Sequence, residues 1–182
     1  MEWCVRLFRG RKSKEPDWNE IEYFHESWKN RIKAMAVYIR DNSTVIDFGS
    51  GKEWLKEFIP ASVGYTAVDY LDRGTKNFVC DFNQYQFPDV KGDFGFISGC
   101  LEYIIDYNWF IDKIAGAVNE VIISYNTTEL VGDLKERKAL AWKNHLSEKE
   151  LVNAFASKQM TLREVDRTIP KNPIFIFKKP GK

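Results

Sequence analysis

Three aspartates close three short strand-like runs: Asp47 ends "TVID", Asp69 ends "YTAVD" and Asp81 ends "FVCD". After Asp47 come Gly49, Ser50 and Gly51, and then a pattern with helical spacing. Glycines between a strand and a helix usually bring a phosphate against the backbone. This turn is wrong for one. A P-loop needs GxxxxGK[ST], but Ile46 stands at its first glycine and Glu53 follows Gly51-Lys52. The dinucleotide pattern GxGxxG meets Trp54 at its third glycine. A diphosphate beside Asp47 would also meet like-charge repulsion on the order of several kcal/mol in a cleft.

A ligand with a cationic end suits these residues. Asp47 offsets an ammonium or sulfonium charge, and Gly49 and Gly51 leave room for a small molecule against the backbone. Asp69, which stands 22 residues after Asp47, is placed to accept from two ribose hydroxyls. Asp81 can accept from the exocyclic amine of adenine, with Tyr70 or Phe82 stacking on the ring. A cationic amino-acid end, a ribose and an adenine together make S-adenosylmethionine. Bland readings stand beside each assignment. Asp47 and Asp69 can cap helices, the glycines can serve a tight turn, and Asp81-Phe82-Asn83 can form an Asx turn.

These residues must be held by a larger frame. From Trp18 to about Arg40 the apolar residues Ile21, Phe24, Trp28, Ile32 and Met35 recur at three- and four-residue steps, which predicts an amphipathic helix. "DNST" at 41–44 stops it. Five strand runs follow: "TVIDF", "YTAVD", "FVCDF", "FGFIS" and "EVIIS". A helix is expected over "LEYIIDYNWFIDKIAGAV" (101–118), and further helical stretches over 129–142 and 146–159, the last opened by a Ser147/Glu150 capping box. "TLREVDR" and "PIFIFKK" close the chain as a hairpin. Strands alternating with crossovers imply an α/β fold, a mostly parallel sheet covered on both faces, with ligands at the carboxyl ends of the strands.

"VIDFGSG", "YTAVDY", "CDFN" and "FISGCLEYI", in that order and spacing, resemble motifs I to IV of the class I (Rossmann-like) S-adenosylmethionine-dependent methyltransferases. The resemblance covers about residues 18 to 178 and implies a three-layer sandwich with a seven-stranded sheet and one antiparallel strand in a C-terminal hairpin. It implies cofactor contacts from Asp47, Gly49, Ser50, Gly51, Asp69, Tyr70, Asp81 and Phe82, with Gly99 beside the methionine moiety and the acceptor entrance. Glu53 stands where motif I often has a third glycine. In similar enzymes the N-terminal helix folds over the cofactor as a lid, which makes Arg31 a candidate partner for its carboxylate. The alternative is an amphipathic helix with Arg31 in solvent and Trp28 in the core.

Methyl transfer from a sulfonium needs alignment and exclusion of water, and a hydroxyl acceptor benefits from a general base. His145, in "WKNHLS" after the fifth strand, is the candidate base, with Trp142 and Asn144 shaping the pocket; otherwise it is a surface residue before the capping box. Glu102 either favours a first helical turn or borders the acceptor. The reading is thus a methyltransferase that uses S-adenosylmethionine, releases S-adenosylhomocysteine and acts on a small-molecule or glycan acceptor, oxygen slightly preferred. A catalytically inactive binding module is the alternative, and a nicotinamide-dependent oxidoreductase is opposed by Trp54 and Asp47.

Composition narrows the partners. The 182 residues are 44% hydrophobic and carry a net charge of +1, which suits one globular domain with no nucleic-acid partner. Three cysteines without CxxC spacing argue against a disulfide framework or a metal site and fit a reducing cytoplasm. No apolar run reaches the ~18–20 residues of a membrane span. The basic arm at residues 1–17 mixes Trp3, Leu7 and Phe8 with arginines, which reads as a solvated arm or a weak membrane-surface contact.

Overall fold

The computed structural model describes residues 24–181. The expected basic arm at 1–17 and the first part of the expected lid helix, 18–23, lie outside the described residues. The helix itself, α1, runs over Ser27–Ala36. Seven strands follow: β1 (Thr44–Phe48), β2 (Gly64–Asp69), β3 (Phe78–Val79), β4 (Gly92–Ser98), β5 (Val118–Ser124), β6 (Thr161–Asp166) and β7 (Ile174–Lys178). They form one sheet in the order β3-β2-β1-β4-β5-β7-β6. Strands β1 to β5 pair parallel, whereas β7 pairs antiparallel with both β5 and β6. This is the Rossmann-like sheet with a reversed hairpin strand that the sequence predicts.

Alternation along the strands divides the core in two. Val45, Phe94, Phe96, Ile122 and Ile176 face α1, which presents Met35 and Ala36 to them, with Ile39 just beyond its end. Ile46, Phe48, Ile97, Val121 and Ile123 face the other way, onto helices α2 (Tyr107–Ala117) and α4 (Glu148–Ala156). On that side Phe82 and Phe110 rings lie 4.6 Å apart, and Phe155 stacks on Phe177 at 4.1 Å. Each such buried ring contributes about 1.5–3 kcal/mol of transfer free energy. The order reverses between β1 and β4, so the carboxyl ends of these strands open a crevice.

Three helical expectations change. The stretch 101–118 is not one helix: a 3-10 turn at Leu101–Tyr103 is followed by extended Ile104, and α2 begins after Asp106, whose side chain accepts from Trp109 N–H at 3.0 Å. The carbonyls of Leu101 and Ile104 are taken by Asn144 Nδ2 at 2.6 and 2.8 Å, and that of Glu102 by Lys143 N–H at 2.7 Å, so long-range donors replace the helical ones. Over 129–142 only α3 (Leu134–Ala139) forms, started by Asp133 and ended by Ala141 at φ 63°. Behind the glycine turn stands one 3-10 turn, Trp54–Glu57, instead of a full helix, because Glu53 takes φ 56° just before it. The Ser147/Glu150 capping box forms as the spacing predicts. Among the described residues no helix is long and apolar enough to cross a membrane.

Candidate active site

The crevice is a cleft of about 930 Å³. Of the residues singled out from the sequence, Arg31, Asp47, Gly49, Ser50, Gly51, Asp69, Tyr70, Asp81, Phe82 and Gly99 all line it; His145 does not.

The glycine turn is held from below. Gly49 and Ser50 N–H both donate to Val68 O of β2, at 2.8 and 3.1 Å. Gly51 N–H donates to Asp69 Oδ2 at 2.7 Å. Gly49 and Gly51 have φ of 77° and 53°, in the left-handed region that other residues enter at a cost. The space a side chain would take is filled by protein. A Cβ on Gly49 would come within 2.7 Å of Cys100 Sγ, and one on Gly51 within 2.6 Å of the Phe24 ring. The expectation that open space over these glycines receives the ligand is therefore corrected: Cys100 and Phe24 occupy it. Ser50 contributes a buried hydroxyl oxygen that has no hydrogen-bond partner among the described residues.

Asp47 is 4% exposed and accepts from Tyr65 OH at 2.7 Å. Burial pushes its carboxyl up to about 7, with the Tyr65 hydrogen bond working against the rise and the neighbouring Asp69 and Glu53 adding to it. It is a carboxylate short of positive charge. Asp69 spends one oxygen on Gly51 N–H and the other on Leu71 N–H at 3.1 Å, with the Arg73 guanidinium 3.7 Å away. Each carboxylate oxygen keeps a further lone pair for a ligand hydroxyl. Asp81 forms the Asx turn, accepting from Asn83 N–H at 2.9 Å, and still lines the cleft. The Phe82 ring packs among Phe48, Phe87 and Phe110, so of the two expected stacking rings it is Tyr70 that stays half-buried at the cleft. The ring of Phe82 turns inward because apolar neighbours surround it on the α2 side of the sheet.

Arg31 comes off α1 onto the end of β4. Its Nε donates to Ser98 Oγ at 2.9 Å, Nη1 to Asn172 Oδ1 at 3.1 Å and Nη2 to Ser98 O at 3.3 Å. A Cβ on Gly99 would lie 2.9 Å from the guanidinium, so glycine is what admits this approach. Trp28 flanks it, 5.9 Å from the ring centroid. Desolvation lowers the Arg31 pKa, Glu102 and Tyr103 opposing, and no carboxylate among the described residues forms an ion pair with it. The sequence alternative of Arg31 in solvent is not what the chain adopts.

The far end of the cleft is built around Glu102, 1% exposed, in the 3-10 turn after β4. Its Oε1 accepts from Asn126 N–H at 3.0 Å and Nδ2 at 3.2 Å; its buried Oε2 has no partner among the described residues. Behind it lies Arg137, fully buried, donating to Asn126 O, Val131 O, Tyr125 OH and Asn144 O. Its Nε donates to His145 Nδ1 at 3.0 Å, and its guanidinium sits 4.7 Å from the Trp142 ring. His145 is thereby a brace. Its Nδ1 must stay unprotonated to accept, and burial with Arg137 and Lys138 nearby lowers its pKa. Of its companions, Trp142 lines the cleft and Asn144 is buried behind it. Sequence reading missed Arg137, Asn126 and Asn172, which carry no local motif and meet only through the fold.

The sheet order is that of the fold shared by the class I S-adenosylmethionine-dependent methyltransferases. No protein-family model matches the sequence, and no curated protein matches it. Solved structures do. The chain is similar to Burkholderia thailandensis 1,6-didemethyltoxoflavin-N1-methyltransferase, which was solved with 1,6-didemethyltoxoflavin and S-adenosylhomocysteine: TM-score 0.63, 16% identity, 90% of this chain and 81% of that one. It is also similar to the protein complexed with the Haloferax volcanii Trm112 methyltransferase activator, at TM-score 0.65 and 15% identity over 85% of this chain and 90% of that one. A third is NcsB1, an O-methyltransferase of neocarzinostatin biosynthesis, with TM-score 0.62 and 15% identity over 85% of this chain but only 57% of that one.

Proposed function

We propose that the chain is a methyltransferase that binds S-adenosylmethionine and acts on a small-molecule acceptor. One observation carries the reading: a buried carboxylate short of positive charge, Asp47, and a desolvated guanidinium that forms no ion pair among the described residues, Arg31, border the same cleft. Together they complement a ligand with an ammonium at one point and a carboxylate at another. A diphosphate would satisfy neither Asp47 nor its acidic neighbours.

In this reading Arg31 holds the methionine carboxylate and Asp47 the ammonium. Asp69 accepts from the ribose hydroxyls, Asp81 from the adenine amine, and Tyr70 covers the ring. Gly99 and the Ser50 hydroxyl border the methionine arm. Bound S-adenosylmethionine supplies an activated methyl group. The chain's task is then to orient the acceptor and exclude water, and the apolar walls from Ile104, Leu140 and Trp142 serve the second need. The neighbours crystallised with S-adenosylhomocysteine or S-adenosylmethionine, and with 1,6-didemethyltoxoflavin or a hydroxynaphthoic acid, support a small-molecule acceptor.

Calorimetric titration tests the cofactor assignment. S-adenosylhomocysteine is expected to bind saturably and to raise the melting temperature by mass action, while NAD does neither. Arg31→Met should weaken S-adenosylhomocysteine by about 10- to 100-fold, the usual worth of a hydrogen bond to a charged group. Stabilisation by NAD with no response to S-adenosylhomocysteine would remove the reading.

A further inference from the structure

Given the methyltransferase reading, on which this inference rests, we propose that Glu102 receives the methyl acceptor. Its free oxygen accepts the hydrogen bond of an O–H or N–H at the atom to be methylated, and takes that proton as the methyl arrives.

The geometry leaves little else for this oxygen to do. Glu102 is 1% exposed, and Asn126 fixes its Oε1 from two donors. Oε2 is buried and has no partner among the described residues. Neighbouring donors are already committed: Arg31, whose charge Glu102 supports, donates to Ser98 Oγ, Ser98 O and Asn172 Oδ1. Arg137 spends its N–H groups on three carbonyls, Tyr125 OH and His145, and Asn144 spends its amide on Leu101 O and Ile104 O. To act as the base Oε2 must accept, and its partner is then a group that brings a hydrogen. Glu102 lines the cleft beyond the end of β4, next to Gly99 and across from Asn126 at the end of β5. The same cleft is lined by the apolar side chains of Ile104, Val131, Leu140 and Trp142. The complement is a small, largely apolar molecule with one hydroxyl or ring N–H.

The step balances. The acceptor's lone pair forms the new bond to the methyl carbon, and the carbon–sulfur bond breaks with its electrons returning to sulfur. The acceptor's proton passes to Oε2, leaving a neutral thioether and a protonated Glu102. An acceptor without a hydrogen on the reacting atom would leave Oε2 unpaired. His145 has no part in this, since its Nδ1 is held by Arg137 outside the cleft.

Matched probes test the assignment: 2-naphthol against 2-methoxynaphthalene, and indole against 1-methylindole, titrated into protein saturated with S-adenosylhomocysteine. The wild type should bind the hydrogen-bearing member of each pair at least about tenfold tighter, because the methylated member leaves a buried acceptor unpaired. In Glu102→Gln the preference should fall to within about threefold. S-adenosylhomocysteine binding to the variant shows that it is folded. Should the wild type not bind S-adenosylhomocysteine, the cofactor reading fails by itself, and the same probe pairs run on ligand-free protein still test Glu102. Equal affinity within the pairs, a preference unchanged by Glu102→Gln, or no binding of either hydrogen-bearing probe up to its solubility limit overturns the proposal. If the variant does not fold, a crystal structure of the wild type with 5-bromoindole decides. Its ring nitrogen within hydrogen-bond distance of Oε2 supports the assignment; the probe elsewhere, or a water bridging Oε2 to protein groups, overturns it.

Discussion

At the β1–β2 side of the cleft the polar groups are tied to partners close by in the chain. Gly51 N–H reaches Asp69 across 18 residues, Tyr65 reaches Asp47 across 18, and Leu71 reaches Asp69 across 2. At the β4–β5 side the ties are longer: Asn126 to Glu102 spans 24 residues, and Asn144 to Leu101 spans 43. The first side rests on parallel strand pairing and one tight turn. The second rests on a buried arginine that knits loops together. Under the proposed function, the first side holds one invariant molecule with a compact motif, whereas the second, made of loops, can be remodelled around an acceptor while the sheet stays fixed.

The largest effect is expected at Arg137. Arg137→Met keeps much of the volume but strips donors from three carbonyls, the Tyr125 hydroxyl and His145. The expected loss is about 3 kcal/mol of global stability, since buried acceptors are left without partners. Hydrogen exchange should show Lys143 and Leu146 amides, which now bond to Glu102 O and Tyr125 OH, losing protection well before those of β1 and β2. A variant within about 1 kcal/mol of wild type, with uniform protection, would mean that the acceptor side does not depend on this residue.

At the β1–β2 side the sharper probe is pH. Asp47 titrates at about 7 in the folded chain, against 3.8 ordinarily. The folded state therefore holds a proton that the unfolded state releases between about pH 4 and 7, so this group's contribution to stability falls as pH rises through that window and is fully lost above 7. Ligand binding runs the other way. A cationic partner needs the ionised form, so affinity for S-adenosylhomocysteine should be about tenfold weaker at pH 6 than at pH 8, one proton's worth below a pKa near 7. Asp47→Asn should flatten both dependences. Equal slopes in the two proteins would detach Asp47 from the ligand's charge.

The same contrast explains what the sequence could show. "VIDFGSG" and "YTAVDY" were legible because strand alternation and the spacing of Asp47, Gly49, Gly51 and Asp69 reflect ties within one βαβ-like unit. The hairpin and the mostly parallel sheet followed from run lengths and crossover rules, whereas the strand order came only with the structure. Helix extent did not. The 101–118 pattern is apolar at helical spacing, yet donors from Lys143 and Asn144, more than 35 residues away, claim its first carbonyls. His145 drew attention as one of only two histidines. Arg137 did not, because "LKERKA" looks like a solvated helix face, and nothing local says that one of its three cations is buried. Arg31 stood between these cases: its helix was predictable, but its approach to Gly99 depends on how α1 lies over β4.

The smallest effect belongs to an element outside both halves. Ser147 accepts from Glu150 N–H at 3.2 Å and Glu150 Oε2 accepts from Ser147 N–H at 2.8 Å, closing the start of α4. Ser147→Ala should cost about 1 kcal/mol of stability, the common price of an N-cap. Because α4 packs on the sheet face opposite α1, through Leu151 and Phe155, S-adenosylhomocysteine affinity should stay within about twofold of wild type, roughly 0.4 kcal/mol. The capping box does sit two residues after His145 and one after Leu146, whose N–H donates to Tyr125 OH at 2.9 Å. If Ser147→Ala instead weakened probe binding at Glu102 as strongly as it lowered the melting temperature, α4 would belong to the acceptor end. The boundary between the two halves would then have to be redrawn through Leu146.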